Sequence, residues 1–363
     1  MRILFVDPYD NNILNFRKEL LDRLICDGHE LILATNYSKK IESLYSNNVV
    51  FFWTNCDLRN KSIINNLKLI SSYKKIIKTS KPDLILSFTI KPNIYCSMFA
   101  KNIPIIANIT GLGMSFSKKG LLSSLIKKLY RIGFKNTDYI LFQNTSGYKE
   151  FVKNNIPIKK YQIIPGSGVN LDKFAFSELA ISNKKRVFLY ASRFIKEKGI
   201  ECLLNAVPAI LENDLNAEFV FVGNGEAKYV DCIKSLMKTW PQNVFLHLWT
   251  DDMYGFYKKA TFVVAPSFYK EGISNVLLEA LATGRPIITT NNNPGCMELL
   301  NEENNGYGVL SNDLNSLIVS LKRACSETNE NITKMGINGR NFVENNYDRN
   351  ITVNCYLSII RTM

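Results

Sequence analysis

Two glutamates bound the segment Glu271-Gly272-Ile273-Ser274-Asn275-Val276-Leu277-Leu278-Glu279, with seven residues between them. The segment follows an apolar run that ends in Ala265-Pro266-Ser267. Ser274 and Asn275 are both of the type that starts a helix, and Val276, Leu277 and Ala280 give that helix an apolar face. Free amides at a helix start favour an anion such as phosphate. A carboxylate at Glu271, in the loop before the helix, can reach ligand hydroxyls. One at Glu279, more than a turn inside, can accept hydrogen bonds from a vicinal diol such as that of ribose. Alone, the pair reads equally well as a loop charge and a surface helix residue.

Two further segments have the same form, a strand followed by residues suited to a ligand. Ala191-Ser192-Arg193-Phe194-Ile195-Lys196-Glu197-Lys198-Gly199 places Arg193 and Lys198 in one loop, and a pyrophosphate requires such fixed positive charge. Gly223-Asn224-Gly225-Glu226 follows Phe219–Val222, where glycines let backbone approach a ligand closely. It is not a full GxGxxG, so a dinucleotide site is poorly supported. Gly284-Arg285-Pro286 and Gly295-Cys296-Met297-Glu298 complete the series.

The elements that must position these residues form two series. Ile3–Val6, Leu31–Ala34, Val49–Trp53, Leu84–Phe88, Ile105–Ile109, Tyr139–Gln143 and Gln162–Ile164 read as buried strands, with amphipathic stretches such as Phe16–Asp27 and Ile63–Ser80 between them. The pattern restarts with Arg186–Ala191, Glu218–Val222, Val244–His247, Phe262–Pro266, Pro286–Thr290 and Gly306–Leu310. Apolar strands alternating with helices predict parallel sheets covered on both faces. Ligands bind such sheets beyond the carboxyl ends of their strands. The break falls in Ile164-Pro165-Gly166-Ser167-Gly168-Val169. The expected domains are 1–168 and 169–346, with a C-terminal helix of about 347–363 packing back on the first.

In this order, and with Gly168-Val169-Asn170 and Phe174 at the junction, the segments resemble family 4 of the GT-B glycosyltransferases over essentially the whole chain. The resemblance implies an α/β fold of two doubly wound, Rossmann-like domains facing across a cleft. It implies a nucleotide-sugar donor, retention of anomeric configuration, and no cofactor or bound metal; no Asp-x-Asp triplet is present. Arg193 and Lys198 would hold the donor diphosphate, Glu271 would contact the transferred sugar, and Glu279 the ribose. The backbone of Ile273, Ser274, Asn275 and Val276 would meet phosphate and sugar, with Gly223, Asn224, Gly225 and Glu226 also on the donor side. Met297 departs from the basic or polar residue the family often has there, a change that bears on donor-sugar selectivity.

Acceptor recognition is expected from the first domain, at Asn12, Asn15, Arg17, Lys91, Thr110 and Gly111. The loops that carry them resemble the branch that extends lipid-linked oligosaccharides in polysaccharide, O-antigen, capsule or glycan assembly. The implied reaction transfers a hexose or N-acetylhexosamine from a UDP-sugar to a polyprenyl-diphosphate-linked saccharide. A His-Gly common in the family is replaced by Thr110-Gly111, so no catalytic histidine is assigned. His29 reads as structural, in a helix-to-strand turn. His247 ends a strand where it could lie near the base.

Composition narrows the remaining classes. Of a net charge of +13, residues 1–170 hold 25 Lys+Arg against 11 Asp+Glu, and residues 171–363 hold 20 against 21. The first half therefore suits an anionic partner. Leu121, Leu122, Leu125, Ile126, Leu129 and Ile132 follow helical spacing, with Lys118, Lys119, Lys127, Lys128, Arg131 and Lys135 at the other side or the ends. A basic amphipathic helix of this kind suits an anionic membrane surface, and a solvated basic face on an ordinary helix has the same pattern. No nucleic-acid-binding motif accompanies the charge. Eight scattered cysteines without a CxxC pair, and two histidines, predict reduced thiols and no zinc site. Neither a signal peptide nor an apolar run of about 18–20 residues is evident, so a cytoplasmic protein, peripheral on the inner membrane face, is expected. A nucleotide-sugar epimerase of the same fold is the alternative enzyme.

Overall fold

The computed structural model describes residues 1–54, 62–112, 116, 120–179, 185–213 and 216–363. The chain divides into two compact units, Met1–Ser167 with Asn350–Met363, and Gly168–Arg349.

The first unit runs β1 (Arg2–Val6), α1 (Asp10–Phe16), α2 (Lys18–Cys26), β2 (Glu30–Thr35), α3 (Lys39–Tyr45), β3 (Val49–Trp53), α4 (Ile63–Ser80), β4 (Leu84–Phe88), α5 (Ile90–Phe99), β5 (Ile105–Ile109), α6 (Leu121–Gly133), β6 (Tyr139–Phe142), α7 (Thr145–Lys153) and β7 (Lys160–Ile163). Its described strands form a seven-stranded sheet in the order β3-β2-β1-β4-β5-β6-β7, parallel throughout. Side chains alternate between faces along a strand. In β1, Leu4 and Val6 join Tyr73, Tyr130 and Phe134 in one apolar layer. Ile3 and Phe5 join Leu21, Leu24 and Tyr356 in the other.

The second unit runs β8 (Arg186–Ala191), α8 (Ile200–Leu211), β9 (Ala217–Val222), α9 (Ala227–Thr239), β10 (Val244–His247), α10 (Met253–Lys259), β11 (Phe262–Ala265), α11 (Asn275–Ala282), β12 (Ile287–Thr290), α12 (Pro294–Met297), β13 (Gly306–Val309), α13 (Leu314–Ser326) and α14 (Asn329–Tyr347). Its sheet order is β10-β9-β8-β11-β12-β13, again parallel. In β8, Phe188 and Tyr190 pack with α8, α9 and α13, while Leu189 and Ala191 pack with α11 and Val343. The last helix, α15 (Arg349–Ile360), supplies Val353, Tyr356 and Leu357 to the first unit's core.

The stretch expected over Phe16–Asp27 forms one helix, α2, and a separate short helix, α1, precedes it: Arg17 leaves helical geometry (φ −131°, ψ −4°) and separates the two. Arg17 is buried, and its Nη1 donates to Phe16 O at 3.2 Å and to Ser167 Oγ at 3.0 Å, bonds that hold the break open. No helix among the described residues is long and apolar enough to cross a membrane.

Candidate active site

In each sheet the strand order reverses direction once, between β1 and β4 and between β8 and β11. Ligands of open parallel sheets bind at such switch points. In the second unit the loops at this point are those after β8 and β11, and they carry Arg193, Lys198 and Glu271. The β8 loop continues pairing past the sheet. Phe194 bridges Gly225, with Phe194 N donating to Asn224 O and Glu226 N to Phe194 O, both at 2.9 Å. Gly223 permits this approach: at φ 143° a Cβ there would lie 1.9 Å from Ser192 O. Asn224 and Glu226 are exposed; Asn224 Oδ1 accepts from Gly225 N at 2.8 Å, and Glu226 pairs with Lys228 at 3.2 Å.

Lys196–Lys198 forms a single 3₁₀ turn, ended by Gly199 at φ 75°. The β11 loop is tied to that turn by Phe268 N, which donates to Glu197 O at 2.9 Å. Lys198 Nζ therefore reaches Glu271 Oε2 at 2.6 Å, the two side chains being 15% and 18% exposed. Tyr269 lies beside both cations, its ring centroid 5.6 Å from the Arg193 guanidinium and 5.4 Å from Lys198 Nζ. The β12 side braces the loop. Thr290 Oγ1 and Asn293 Nδ2 donate to Ser267 O at 2.7 and 2.8 Å, and Ser274 N donates to Gly295 O at 3.1 Å. Cys296 is buried there, and burial, aided by the Glu271 charge, pushes its thiol up to about 11. It stays protonated and is no nucleophile at neutral pH.

Ser274 is the residue before α11, and its side chain makes no capping bond, so the amides of the first turn are not claimed by it. Ile273 and Ser274 are buried; Asn275 and Val276 are partly exposed. One turn on, Glu279 Oε2 accepts from the Tyr257 hydroxyl at 2.8 Å. Burial raises Glu279 to about 7, against the lowering pull of the Tyr257 bond and of the Lys173 and Arg349 charges. The folded state thus holds a proton that the unfolded chain, with an ordinary value of 4.5, releases. Stability from this group is present below pH 4.5 and is lost as pH rises toward 7. The difference is roughly 3 kcal/mol at one pKa unit per 1.36 kcal/mol. Glu279→Gln is expected to abolish this part of the pH dependence, read as urea midpoints at pH 5 and 8. Equal midpoint shifts in variant and parent would refute it.

A cavity of about 730 Å³ lies elsewhere in this unit, between β9, β10 and α10. His247 lines it, its ring 4.8 Å from that of Phe256, but Arg193, Lys198, Glu271 and Glu279 do not.

In the first unit, Asn12 (α1), Lys91 (α5) and Thr110 with Gly111 (after β5) stand partly exposed at the carboxyl ends of the strands, and Asn15 is exposed. Arg17 differs: it is 4% exposed, and its guanidinium lies 4.6 Å from the Phe88 ring centroid and bonds Ser167. It works as an internal strut. Beside it lies a buried polar cluster. Asp7 Oδ1 accepts from Asn12 Nδ2 and Tyr9 N, both at 3.3 Å, and Asn108 Nδ2 donates to the Tyr356 hydroxyl. Burial raises Asp7 to about 6, with the Arg17 charge opposing. Thr89, between β4 and α5, is held at φ 70°, ψ 169°, a backbone region that is essentially glycine's.

Helix α6 turns Tyr130 fully inward and packs Ile126 and Leu129 on the core, but leaves Leu125 and Ile132 53% and 45% exposed beside exposed Lys128 and Arg131. The apolar stripe read from spacing is therefore split between two faces. Lys127 Nζ lies 5.6 Å from the Phe116 ring centroid, and Arg131 Nε donates to Asn154 O at 2.8 Å. Lys118 and Lys119 lie outside the described residues.

Residues 172–342 match the family described as Glycosyl transferases group 1, and residues 2–144 match Glycosyl transferase 4-like. The structure is similar to that of a glycosyltransferase from Rickettsia africae ESF-5, with a TM-score of 0.77 at 21% identity over 99% of this chain and 97% of that one. The chain belongs to the GT-B glycosyltransferases. Anabaena HepE, solved in complex with UDP, has the same fold as this glycosyltransferase, with a TM-score of 0.76 at 16% identity and full coverage of both chains. Two curated relatives of the transferase have more specific names. One is the UDP-Gal:alpha-D-GlcNAc-diphosphoundecaprenol alpha-1,3-galactosyltransferase of Escherichia coli, 26% identical over 80% of this chain and 78% of its own. The other is the N,N'-diacetylbacillosaminyl-diphospho-undecaprenol alpha-1,3-N-acetylgalactosaminyltransferase of Campylobacter jejuni, 24% identical over 99% and 98%. Sequence reading of the transferase missed Tyr269 and Tyr257. Neither sits in a patterned position, and only the fold brings Tyr257 to Glu279, 22 residues away.

Proposed function

We propose that the enzyme transfers a hexose or N-acetylhexosamine from a UDP-sugar to a saccharide linked to polyprenyl diphosphate, with retention of configuration, in the assembly of a surface polysaccharide. The observation that carries the reading is the Lys198–Glu271 pair at the β8/β11 switch point, with Arg193 across Tyr269 and the start of α11 alongside. The names of the relatives supply the acceptor class.

Arg193, Lys198 and the α11 amides hold the donor diphosphate and stabilise the charge that grows on it as the bond to the sugar breaks. Glu271 accepts from hydroxyls of the transferred sugar, and Glu279 from those of the ribose. The acceptor hydroxyl attacks the anomeric carbon on the face the diphosphate leaves. Its proton passes to a diphosphate oxygen, so the products are the extended acceptor and a nucleoside diphosphate. No cofactor or metal is required in this scheme. Asn12, Asn15, Lys91, Thr110 and Gly111 contact the acceptor. Thermal shift against a panel of nucleotide sugars tests the donor half, because a ligand that binds only the native state raises its melting temperature. A UDP-sugar is expected to give the largest shift; no response to any member would overturn the reading.

The same proposal places the enzyme on the inner membrane face through its first unit. Leu125, Ile132, Lys128 and Arg131 of α6 form one contact region, and Ile63, Ile64 and Leu67 of α4, 77%, 66% and 59% exposed, form another. Each basic residue adds about 1 kcal/mol near anionic lipid. Lys128→Ala with Arg131→Ala should weaken binding to phosphatidylserine-containing vesicles about 30-fold by sedimentation. Unchanged sedimentation would remove α6 from the contact.

A further inference from the structure

Arg285 is the largest fully buried side chain of the described residues, yet it has no carboxylate partner among its hydrogen bonds. Its Nε donates to Tyr257 O at 2.9 Å and its Nη2 to Lys258 O at 3.0 Å and Glu178 O at 3.5 Å. Its Nη1 donates to Ser177 O at 2.7 Å and Gly284 O at 3.2 Å. Two of these acceptors, Tyr257 and Lys258, are last-turn carbonyls of α10, at the negative end of its dipole; Tyr257 O also accepts from Ala260 N at 3.1 Å. Burial lowers the guanidinium only to about 10, so it remains charged at neutral pH. A buried cation thus clamps the end of a seven-residue helix.

The residue in that clamp is the one that meets Glu279. Tyr257 is fully buried, its ring 5.9 Å from Phe174, and its hydroxyl donates to Glu279 Oε2 at 2.8 Å. Burial and the Glu279 charge raise the phenol well above its ordinary value, so it remains a donor over the whole working range. The groups facing Glu279 are Tyr257 from α10, Lys173 from the segment before β8, and Arg349 at the start of α15.

We propose that Tyr257 and Arg285 are positioning residues for nucleotide binding: Arg285 fixes the end of α10, and Tyr257 thereby holds one oxygen of Glu279 so that the other accepts from the nucleotide ribose. The proposal rests on the reading that Glu279 contacts that ribose. It gives the Gly284-Arg285-Pro286 turn a role in the donor site without contact with the donor. Glu279 bonded through one oxygen has a fixed rotamer, and a preordered acceptor spares the ligand the ordering cost.

The test is calorimetric titration of UDP, and of inorganic pyrophosphate as control, into the parent, Tyr257→Phe, Glu279→Gln and the double variant between pH 5.5 and 8.5. Tyr257→Phe removes one oxygen and keeps the packing, so it carries the test if Arg285→Met fails to fold. Expected for Tyr257→Phe is about tenfold weaker UDP binding at pH 7.5, unchanged pyrophosphate binding, and a pH inflection moved upward, because the lost donor favoured the carboxylate. The double variant should bind UDP no more weakly than Glu279→Gln alone. Arg285→Lys should fall between parent and Tyr257→Phe. Additive losses, an unmoved inflection, or equal loss of UDP and pyrophosphate would overturn the positioning role while leaving Glu279 in the site. Parent-like UDP binding by Glu279→Gln, or no UDP binding by the parent, would instead overturn the ribose reading beneath it.

Discussion

Lys198→Ala is expected to lower kcat about 10²–10³-fold, the usual cost of removing one preorganised donor from a developing anion. The side chain is held at 2.6 Å from Glu271 before any ligand arrives, so no ordering is needed when the diphosphate binds. Glu271→Gln keeps the shape and removes the charge that holds Lys198 in place. Its effect should be of the same order, and the double variant should be little worse than either single, since the two groups act together. Stability should change modestly, because both side chains retain some exposure and breaking a partly hydrated pair costs less than a buried one. The check is kcat and KM for each variant with circular dichroism of the same samples. A Lys198→Ala enzyme that is folded and within threefold of parental kcat would remove Lys198 from the diphosphate.

Gly199→Ala should be among the most destabilising single substitutions in the second unit. The residue ends the 3₁₀ turn that carries Lys198 and starts α8 at φ 75°. A Cβ there would lie 2.1 Å from Pro266 O and 2.7 Å from Pro266 C, both backbone atoms. The strained backbone costs about 1–3 kcal/mol, and the collision adds about 1–3 kcal/mol. For a unit of this size a drop in Tm on the order of 10 °C follows. Activity should fall with it, since relief of the collision displaces either Lys198 or the loop toward Glu271. Gly28→Ala is the control: its φ is 79°, but a Cβ there meets nothing within 4 Å, so only the backbone strain remains. Calorimetry of both variants decides it. A Gly199→Ala protein as stable as Gly28→Ala would mean that the Pro266 contact relaxes without cost.

The two parallel sheets were legible because their strands are apolar runs bounded by glycine, proline and polar residues. Ile3–Val6 and Phe262–Ala265 are such runs. Periodicity inside a wholly apolar run is silent about faces, so the division of Ile3 and Phe5 from Leu4 and Val6 came only from the packing layers. The segments after β8, β9 and β11 were legible as loops with ligand chemistry. Their mutual geometry was not, because Lys198 and Glu271 are 73 residues apart and meet only through the crossing at the switch point. Arg17 was legible as a charge at the opening of a helix, but not its surroundings: its guanidinium lies over the Phe88 ring and bonds Ser167, 150 residues away. Gly284-Arg285-Pro286 was legible as a turn, but the clamping role of Arg285 and the place of Tyr257 were not, because a clamp on backbone carbonyls asks for no partner residue type. The α6 stripe was legible as a helix but not as faces: six apolar residues at helical spacing span more surface than one neighbour covers, so Leu125 and Ile132 remain outside.

In the proposed scheme the second unit's Lys198–Glu271 centre drives sugar transfer onto a lipid-linked saccharide. The most direct measurement incubates the enzyme with UDP-galactose or UDP-N-acetylgalactosamine and a synthetic N-acetylglucosaminyl or diacetylbacillosaminyl undecaprenyl diphosphate, with mass and anomeric proton coupling of the product as readouts. The prediction is an acceptor heavier by one hexose or N-acetylhexosamine, with the α configuration of the donor kept, and loss of that product in Lys198→Ala. Transfer with inverted configuration, undiminished transfer by Lys198→Ala, or release of a free epimer with no acceptor present would contradict it.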